Sequence, residues 1–540
     1  MAKIGKYVID SLTRSMYEDS RCIYREYIQN AADQIDLARE QHLDDNDYYE
    51  IHVRIFRNQK KIEIEDTATG VSVSNRETLK DVATSQKKRG KQKGFRGIGR
   101  LGGLGYCSKL TFETSYMDEN VKTLMHWDAA KMNRIVDDEM DESEAGNVID
   151  DCTSFEEQIE AVDKHYFKVI LENVTDDRLL DVNNIRDYLS MVAPVDYPTQ
   201  FGVFSSQIKR YIQCNNIVLD VYNLYVGDEY GEEQIYKGYT TKIKDVRNGD
   251  YDIKSIKIID RKDSNGNLIY WGWYSISELR GQIPANNIAY GIRLRCKNIQ
   301  VGDERTCRNF FLAEGDKRFS QYFFGELHVE TPDLMPDARR DYLRECEYRS
   351  IFERMVRSDF STLKDLCNEA SNIRGIIKRI TEADKGTQDI EKKRESGSFL
   401  SPKEIEDDNE KYERYKEKKK KAINQLEKKK QETNRNNSPL GFIYDTMPEP
   451  NPVLSSVTNG SIGSYDNAFS DIPTSLCEND KPIAEDEPQP KLRTDDNIYK
   501  KFGVKEKNVI NIVYNAIYNA IADEVMREGL IKKIEKELTK

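Results

Sequence analysis

No run in this 540-residue sequence is apolar for the ~18–20 residues that a bilayer-spanning helix needs. The opening residues, Met1 to Lys6, lack the apolar core of a secretory signal. Together these absences predict a cytoplasmic chain with no membrane partner. Cysteine is sparse and scattered: nine residues, with no CxxC pair. That excludes a disulfide framework and a cysteine-based zinc site. The five histidines are His42, His52, His126, His165 and His328, and none follows. Histidine-dependent metal chemistry is therefore not expected in the last third. An excess of positive charge is also missing. The net charge is −12, which argues against wholesale coating of nucleic acid but leaves room for local basic patches.

The chain is too long for one core, so several domains are expected. Residues 1–180 read as an α/β unit. A helix near 5–16 leads to a second near 20–41. Two strands follow, Glu50–Phe56 and Lys61–Asp66, each with isoleucine or valine at every second position. Further strands are expected at Lys109–Thr114 and Tyr166–Leu171, with the acidic stretch 137–151 as a surface insertion. Residues 181–375 read as a second α/β region, with strands at Asn216–Val221 and Ala289–Arg295 and helices near 338–374. Residues 376–435 are rich in Lys and Glu and predict one or two long exposed helices or a coiled coil. Residues 436–495, rich in Asn, Ser, Pro and acidic residues, predict a linker. Residues 496–540 predict a C-terminal helix with an apolar stripe of Ile510, Val513, Tyr514, Ile517 and Ile521. Trp271 and Trp273 read as core, and Ala313 to Asp316 as a turn.

Three features carry chemistry. Glu26, Asn30 and Asp33 are spaced i, i+4 and i+7, so a helix places all three on one polar stripe. The apolar Ile23, Tyr27, Ala31, Ile35 and Ala38 fall on another face. Asp66 and Gly70 follow a strand, in Asp-Thr-Ala-Thr-Gly. Then comes a dense glycine run from Gly94 through Gly97, Gly99, Gly102 and Gly103 to Gly105. Glycine lets consecutive N–H groups converge on an anion, and a helix starting near Gly102 would add its dipole. Lys87, Lys88, Arg89, Lys91, Lys93, Arg96 and Arg100 crowd the approach. The run formally contains GxGxxG, but a basic loop precedes it rather than a strand. A kinase needs HRD and DFG landmarks and a P-loop needs Gly-Lys-Ser/Thr; none is present.

The order of these motifs resembles the GHKL ATPase superfamily, which contains gyrase B, heat-shock-90 chaperones, sensor histidine kinases and MutL. Arg25 to Asp36 is most similar to the heat-shock-90 ATP helix, and Gly94-x-x-Gly97-x-Gly99 resembles that family's lid motif. The short lid is closer in length to MutL and the Microrchidia ATPases. Leu334 to Leu343 resembles the catalytic loop of the family's middle domain.

The resemblance implies a Bergerat-type α/β sandwich, then an α/β transducer-like middle domain, a helical arm and a C-terminal helix. It implies ATP and Mg²⁺ as ligands. Glu26 would be the general base and Asn30 the magnesium ligand. Asp66 would accept from the adenine amino group above Gly70. Gly94, Gly97 and Gly99 would hold the phosphates, with Asp33 nearby, and Arg340 would reach the γ-phosphate. Two positions depart from the pattern: Ala68 stands at a usual glycine, and Phe167 at the apparent place of an adenine-site threonine. The implied output is a chaperone-like remodeller of a partner protein, working as a homodimeric clamp. The alternatives are a nucleic-acid-linked clamp in bacterial genome or anti-phage defence, and a scaffold with little turnover. A histidine kinase does not fit, because no histidine precedes Glu26.

Overall fold

Strand β1 (Glu50–Phe56) buries Ile51, Val53 and Ile55, and β2 (Lys61–Asp66) buries Ile62, Ile64 and Asp66. They pair antiparallel across a turn in which Lys60 takes a left-handed conformation. The alternation gives the sheet one apolar face. Charged partners on the other positions tie neighbouring strands together: Arg54 with Glu65 and Glu232, Lys168 with Glu65, and Lys122 with Glu113.

This computed structural model describes residues 4–43, 46–84, 93–94, 97, 99–245, 249–279, 281–399, 401–435 and 438–446, together with 510, 513, 514, 531 and 534. Helix α1 (Tyr7–Leu12) and α2 (Cys22–Glu40) precede β1. After β2 come β3 (Lys109–Ser115), β4 (Val121–Asp128), α3 (Ala129–Asp137), α4 (Ala145–Cys152), β5 (Thr153–Ile159) and β6 (Tyr166–Glu172). Then follow α5 (Val182–Val192), α6 (Gly202–Cys214), β7 (Asn223–Asp228) and β8 (Gly231–Gln234). These strands form one eight-stranded sheet in the order β5-β4-β3-β6-β2-β1-β7-β8. Helices α2, α3, α4 and α5 bury their apolar residues against its inner face in one continuous core.

Three expectations change here. The first sheet does not end near residue 180, because β7 pairs in parallel with β1. The strand expected at Asn216–Val221 lies further on, at Asn223–Asp228. The acidic stretch 137–151 is not a mere surface insertion, since α4 buries Ala145, Val148 and Cys152 in the core.

A second sheet has six strands in the order β13-β12-β14-β11-β10-β9. They are β9 (Lys242–Ile243), β10 (Tyr251–Lys262), β11 (Leu268–Ser277), β12 (Gly291–Cys296), β13 (Ile299–Val301) and β14 (Phe324–Val329). Both faces of β11 are covered. Tyr270 and Tyr274 meet the core of the long helix α7 (Glu347–Glu395), while Trp271 and Trp273 pack with Phe204, Ile208 and Tyr211 of α6. The core reading of both tryptophans therefore holds. A 3-10 helix, Glu314–Tyr322, replaces the turn expected at Ala313 to Asp316.

Helix α7 runs unbroken through residue 375, so no boundary falls there. At about 1.5 Å per residue it is roughly 70 Å long. Helix α8 (Pro402–Arg435) returns along it as a hairpin. Lys393 pairs with Asp408 at 2.8 Å, Tyr412 donates to Glu391 at 2.7 Å, and Ala422 and Leu426 join the core of Ile373 and Ile376. The arm is thus not fully exposed. The beginning of the expected linker folds back too, burying Leu440, Ile443 and Tyr444 in that core.

Residues 463–540 form a separate unit. In it Ile510, Val513 and Tyr514 are helical; Ile510 and Tyr514 are buried and Val513 is exposed. Ile517 and Ile521 lie outside the described residues. Among the described residues, no helix is long and apolar enough to cross a membrane.

Candidate active site

Helix α2 supplies one wall of a cavity of about 670 Å³. Its apolar residues, among them Ile23, Tyr24, Ile28 and Ile35, anchor it on the sheet. Glu26, Gln29, Asn30 and Gln34 line the cavity. The facing sheet contributes Ile64 and Asp66 of β2 and Phe167 and Val169 of β6. Gly70, Gly94, Gly97, Gly99 and Arg340 complete the parts of the wall that the sequence singled out. A cavity of this size, with polar and apolar walls, suits a nucleotide-sized ligand.

Glu26 is buried, at 6% exposure. The Arg25 guanidinium stands 3.3 Å from Glu26 Oε1 and donates to the Arg339 carbonyl at 2.9 Å. Burial, and then the Glu26 carboxylate, push the pKa of the nearby Tyr17 hydroxyl far up, so it stays protonated. Gly99 leaves room for the Glu26 carboxylate, because a Cβ there would stand 2.5 Å from Glu26 Oε2 and push it aside. Gly94 is similarly close to the Gln29 amide. These glycines let the backbone lie directly on the polar face of α2.

Asp33 is placed differently from the expectation. It does not line the cavity. Its carboxylate accepts from the backbone N–H of Lys93 at 2.7 Å and of Gly94 at 3.0 Å. It holds the glycine segment onto α2. The segment Gly99–Gly105 forms a 3-10 helix, and no α-helix begins near Gly102. Each glycine costs about 1 kcal/mol against alanine in an α-helix, which disfavours one here.

The expected crowd of phosphate-facing cations is also reduced. Lys93 turns its ammonium to Asp36 and Asp220, and Arg100 donates to the Asp81 carbonyl. Lys87, Lys88, Arg89, Lys91 and Arg96 lie outside the described residues.

The turn after β2 is tied down along its length, beginning with Thr67, whose N–H donates to the Glu50 carbonyl at 3.1 Å and whose Oγ1 accepts from the Glu50 N–H at 3.0 Å. Asp66 Oδ1 accepts from the Ala68 N–H at 3.1 Å. His165 Nδ1 meets the Ala68 carbonyl at 2.7 Å. Thr69 donates to Gln34 at 2.8 Å, and the Val71 N–H donates to Thr114 Oγ1 at 2.8 Å. Gly70 has φ +66°, and a Cβ would strike the Ser115 carbonyl. Phe167 lies directly across from Asp66 in the sheet register. The threonine in this neighbourhood is Thr114, on the other side of Phe167.

Arg340 arrives from residues 336–343, a loop closed by a bridge between Pro336 and Leu343. Its backbone is left-handed, with φ +57°, and its carbonyl accepts from the Gly302 N–H at 2.6 Å. A non-glycine residue held in this region costs of order 1–3 kcal/mol, and such strain clusters at functional sites. The side chain is 6% exposed and donates to Gln29 Oε1 at 2.8 Å and to the Lys93 carbonyl at 3.3 Å. Burial pulls its pKa below the ordinary arginine value. Among the described residues no carboxylate forms an ion pair with it, and its Nε lacks a hydrogen-bond partner. A buried guanidinium so placed on a cavity wall is suited to an anion.

Gln29, Gln34 and Thr69 were missed from the sequence. Gln29 and Gln34 lie three residues after Glu26 and four after Asn30, so helical spacing alone could have added them to the polar stripe.

Among curated proteins, none matches the chain. Residues 26–158 match the family model described as histidine kinase-, DNA gyrase B-, and HSP90-like ATPase. The match begins at Glu26 and runs through the rest of α2, the glycine segment and most of β5, so this part of the chain is similar to the ATP-binding domains that the model describes.

Proposed function

We propose that this chain is a Mg²⁺-dependent ATPase whose cavity takes ATP between α2, the glycine segment and Arg340. One observation carries the reading: Glu26, Asn30, Asp66, Gly70, Gly94, Gly97, Gly99 and Arg340, drawn from distant parts of the chain, line the same cavity. Asp66 accepts from the adenine amino group, with Ile64, Phe167 and Val169 against the base. The N–H groups near Gly94, Gly97 and Gly99 hold the phosphates, and Asp33 fixes that segment. Asn30 offers one amide oxygen for Mg²⁺, which fits an ion that keeps several waters and phosphate oxygens as its other ligands. When bound, the ion neutralises phosphate charge. Glu26 takes a proton from the water that attacks the γ-phosphorus. The bond from that phosphorus to the β,γ-bridging oxygen breaks, leaving ADP and phosphate. Arg340 stabilises the charge on the transferring group.

The output we favour is remodelling of a partner protein by a homodimer that clamps when ATP binds. The helical residues Ile510 and Tyr514 belong to the segment suggested for the second dimer contact. A nucleic-acid-linked clamp is the second reading. It is favoured by residues 411–435, where eleven Lys and Arg stand against four Glu in a chain of net charge −12. A scaffold with little turnover is the reading that catalysis would remove.

The test is ATP hydrolysis by the wild type and by Glu26→Gln, with and without DNA. The wild type should turn over at least about a hundredfold faster, the scale of a lost general base. Equal rates would remove the catalytic claim. Stimulation by DNA would favour the nucleic-acid clamp over the remodeller. Molecular mass in solution with a non-hydrolysable ATP analogue should double; a monomer in both states would refute the clamp.

A further inference from the structure

A lysine beside a phosphate-binding segment would ordinarily be assigned to the phosphate. Lys93 is built into a different contact. Its side chain is 2% exposed, and Nζ lies 2.6 Å from Asp36 Oδ2 and 3.1 Å from Asp220 Oδ2. The Tyr222 ring is 5.0 Å from the ammonium, and the Tyr222 hydroxyl donates to Asp36 Oδ1 at 2.6 Å. Arg39 also approaches this cluster, 5.4 Å from the same ring. A cation this far from water needs its carboxylates, and removing it would leave Asp36 and Asp220 facing each other without a shared counter-charge.

Every polar group of Lys93 is engaged. Its N–H goes to Asp33, its carbonyl to Arg340 and its ammonium to Asp36 and Asp220. The partners come from α2, from the loop that carries Arg340, and from the segment entering β7. The last of these extends further. The Asp220 carbonyl accepts from Asn298 at 2.7 Å, Asn298 accepts from Lys237 at 2.7 Å, and Lys237 pairs with Glu326 at 2.9 Å in the second sheet. Lys93 is therefore the point where the glycine segment, the arginine loop and the second sheet meet.

We propose that Lys93 is a positioning residue: its ammonium, gripped by Asp36 and Asp220, fixes Gly94 against α2 and so sets the affinity of the cavity for nucleotide. The inference rests on the ATP reading above. Lys93 acts through the placement of Gly94 and touches no reacting atom; its contact with Arg340 runs through the backbone carbonyl, which a side-chain substitution keeps. Breaking the grip should weaken nucleotide binding while leaving Glu26 and its water in place once nucleotide is bound.

The experiment uses the full chain, with a fluorescent ATP analogue for equilibrium binding and steady-state ATP hydrolysis for KM and kcat. Lys93→Met should raise Kd and KM about tenfold, the loss expected of one partly buried charge-assisted contact, with kcat within about twofold. Lys93→Arg, which can reach both carboxylates, should stay within about threefold of the wild type. Asp220→Asn attacks the same contact from the other side. It should raise KM in the same direction, and adding it to Lys93→Met should weaken binding no further, because the two share one interaction. The proposal is overturned if Lys93→Met binds like the wild type. It is also overturned if kcat alone falls, or if Lys93→Arg is as impaired as Lys93→Met. A wild type that binds no analogue would overturn the ATP reading itself, a result separate from any difference between the variants.

Discussion

Arg340→Met separates a functional arginine from a structural one, because the two roles predict opposite effects on stability. Methionine keeps most of the length and removes the charge. The variant loses one good hydrogen bond, to Gln29 at 2.8 Å, and two longer ones, to the Lys93 carbonyl at 3.3 Å and the Cys296 carbonyl at 3.5 Å. A hydrogen bond from a charged donor is worth about 1.5–3 kcal/mol. Against this, the protein no longer buries a guanidinium that has no carboxylate partner, a burden of several kcal/mol in a protein interior. The two contributions offset, and the nucleotide-free protein should change by less than about 2 kcal/mol in either direction. Catalysis has no such compensation. Losing a preorganised donor at developing charge costs about 10²–10³ in kcat, and an arginine on a transferring phosphoryl group about 10³–10⁵. The assay pairs thermal unfolding, without nucleotide and with saturating ADP or ATP, with steady-state hydrolysis. ADP should stabilise both proteins equally, while the added stabilisation by ATP should shrink in the variant. Loss of activity smaller than about tenfold would refute the γ-phosphate role. A nucleotide-free protein destabilised by more than about 4 kcal/mol would show instead that Arg340 holds the loop to α2.

Two further outcomes follow from contacts elsewhere. Gly99→Ala places a methyl against Glu26 Oε2, the movable end of a side chain, so stability should hardly change. The displaced carboxylate should lower kcat about a hundredfold, as a misplacement near 1 Å does, with ADP affinity intact; full activity would exclude Glu26 from the reaction. Burial holds the His328 pKa down to about 4, outweighing the hydrogen bond and the charge of Glu326, which pull it up; Lys237 and Arg295 push it down by smaller amounts. Its folded pKa lies below the ordinary 6.5, so the unfolded chain takes up the proton first. Stability should fall by about 3 kcal/mol as pH drops from about 6.5 to about 4, and be flat in this group above that window. His328→Gln should flatten the limb in urea denaturation at stepped pH; an unchanged slope would assign it to other groups.

The sequence was most readable where side-chain period and local geometry coincide. α2 follows from its apolar spacing, and β1 and β2 from their alternation. The glycine segment announced close backbone approach, and Gly94 and Gly99 do lie against α2. What depended on distant chain was not readable. Asp33 has the right helical face, but only the folded chain shows the Lys93 and Gly94 N–H groups arriving at it. Lys93 is one of several basic residues in sequence, and nothing local marks Asp220 as its partner. The parallel pairing of β1 with β7 joins residues about 170 apart, and no periodicity records such a partnership. The boundary at 375 failed for a related reason. The composition turns charged there, yet Ile376, Ile380 and Ala383 continue the buried stripe of α7.

That parallel pairing restricts how the protein can be divided. A fragment ending near residue 180 would retain α2, the glycine segment and the turn at Asp66, and would seem to contain the nucleotide domain. It would also strip β7 from β1. The backbone N–H and C=O groups of Glu50 to Arg54 that β7 satisfies would become an open edge, flanked by Ile51 and Val53, whose cover from Leu224 and Val226 would be gone. An edge of that kind recruits other chains. The smallest soluble piece of the first sheet should therefore extend past Gln234, and shorter pieces should aggregate even with every nucleotide-facing residue present.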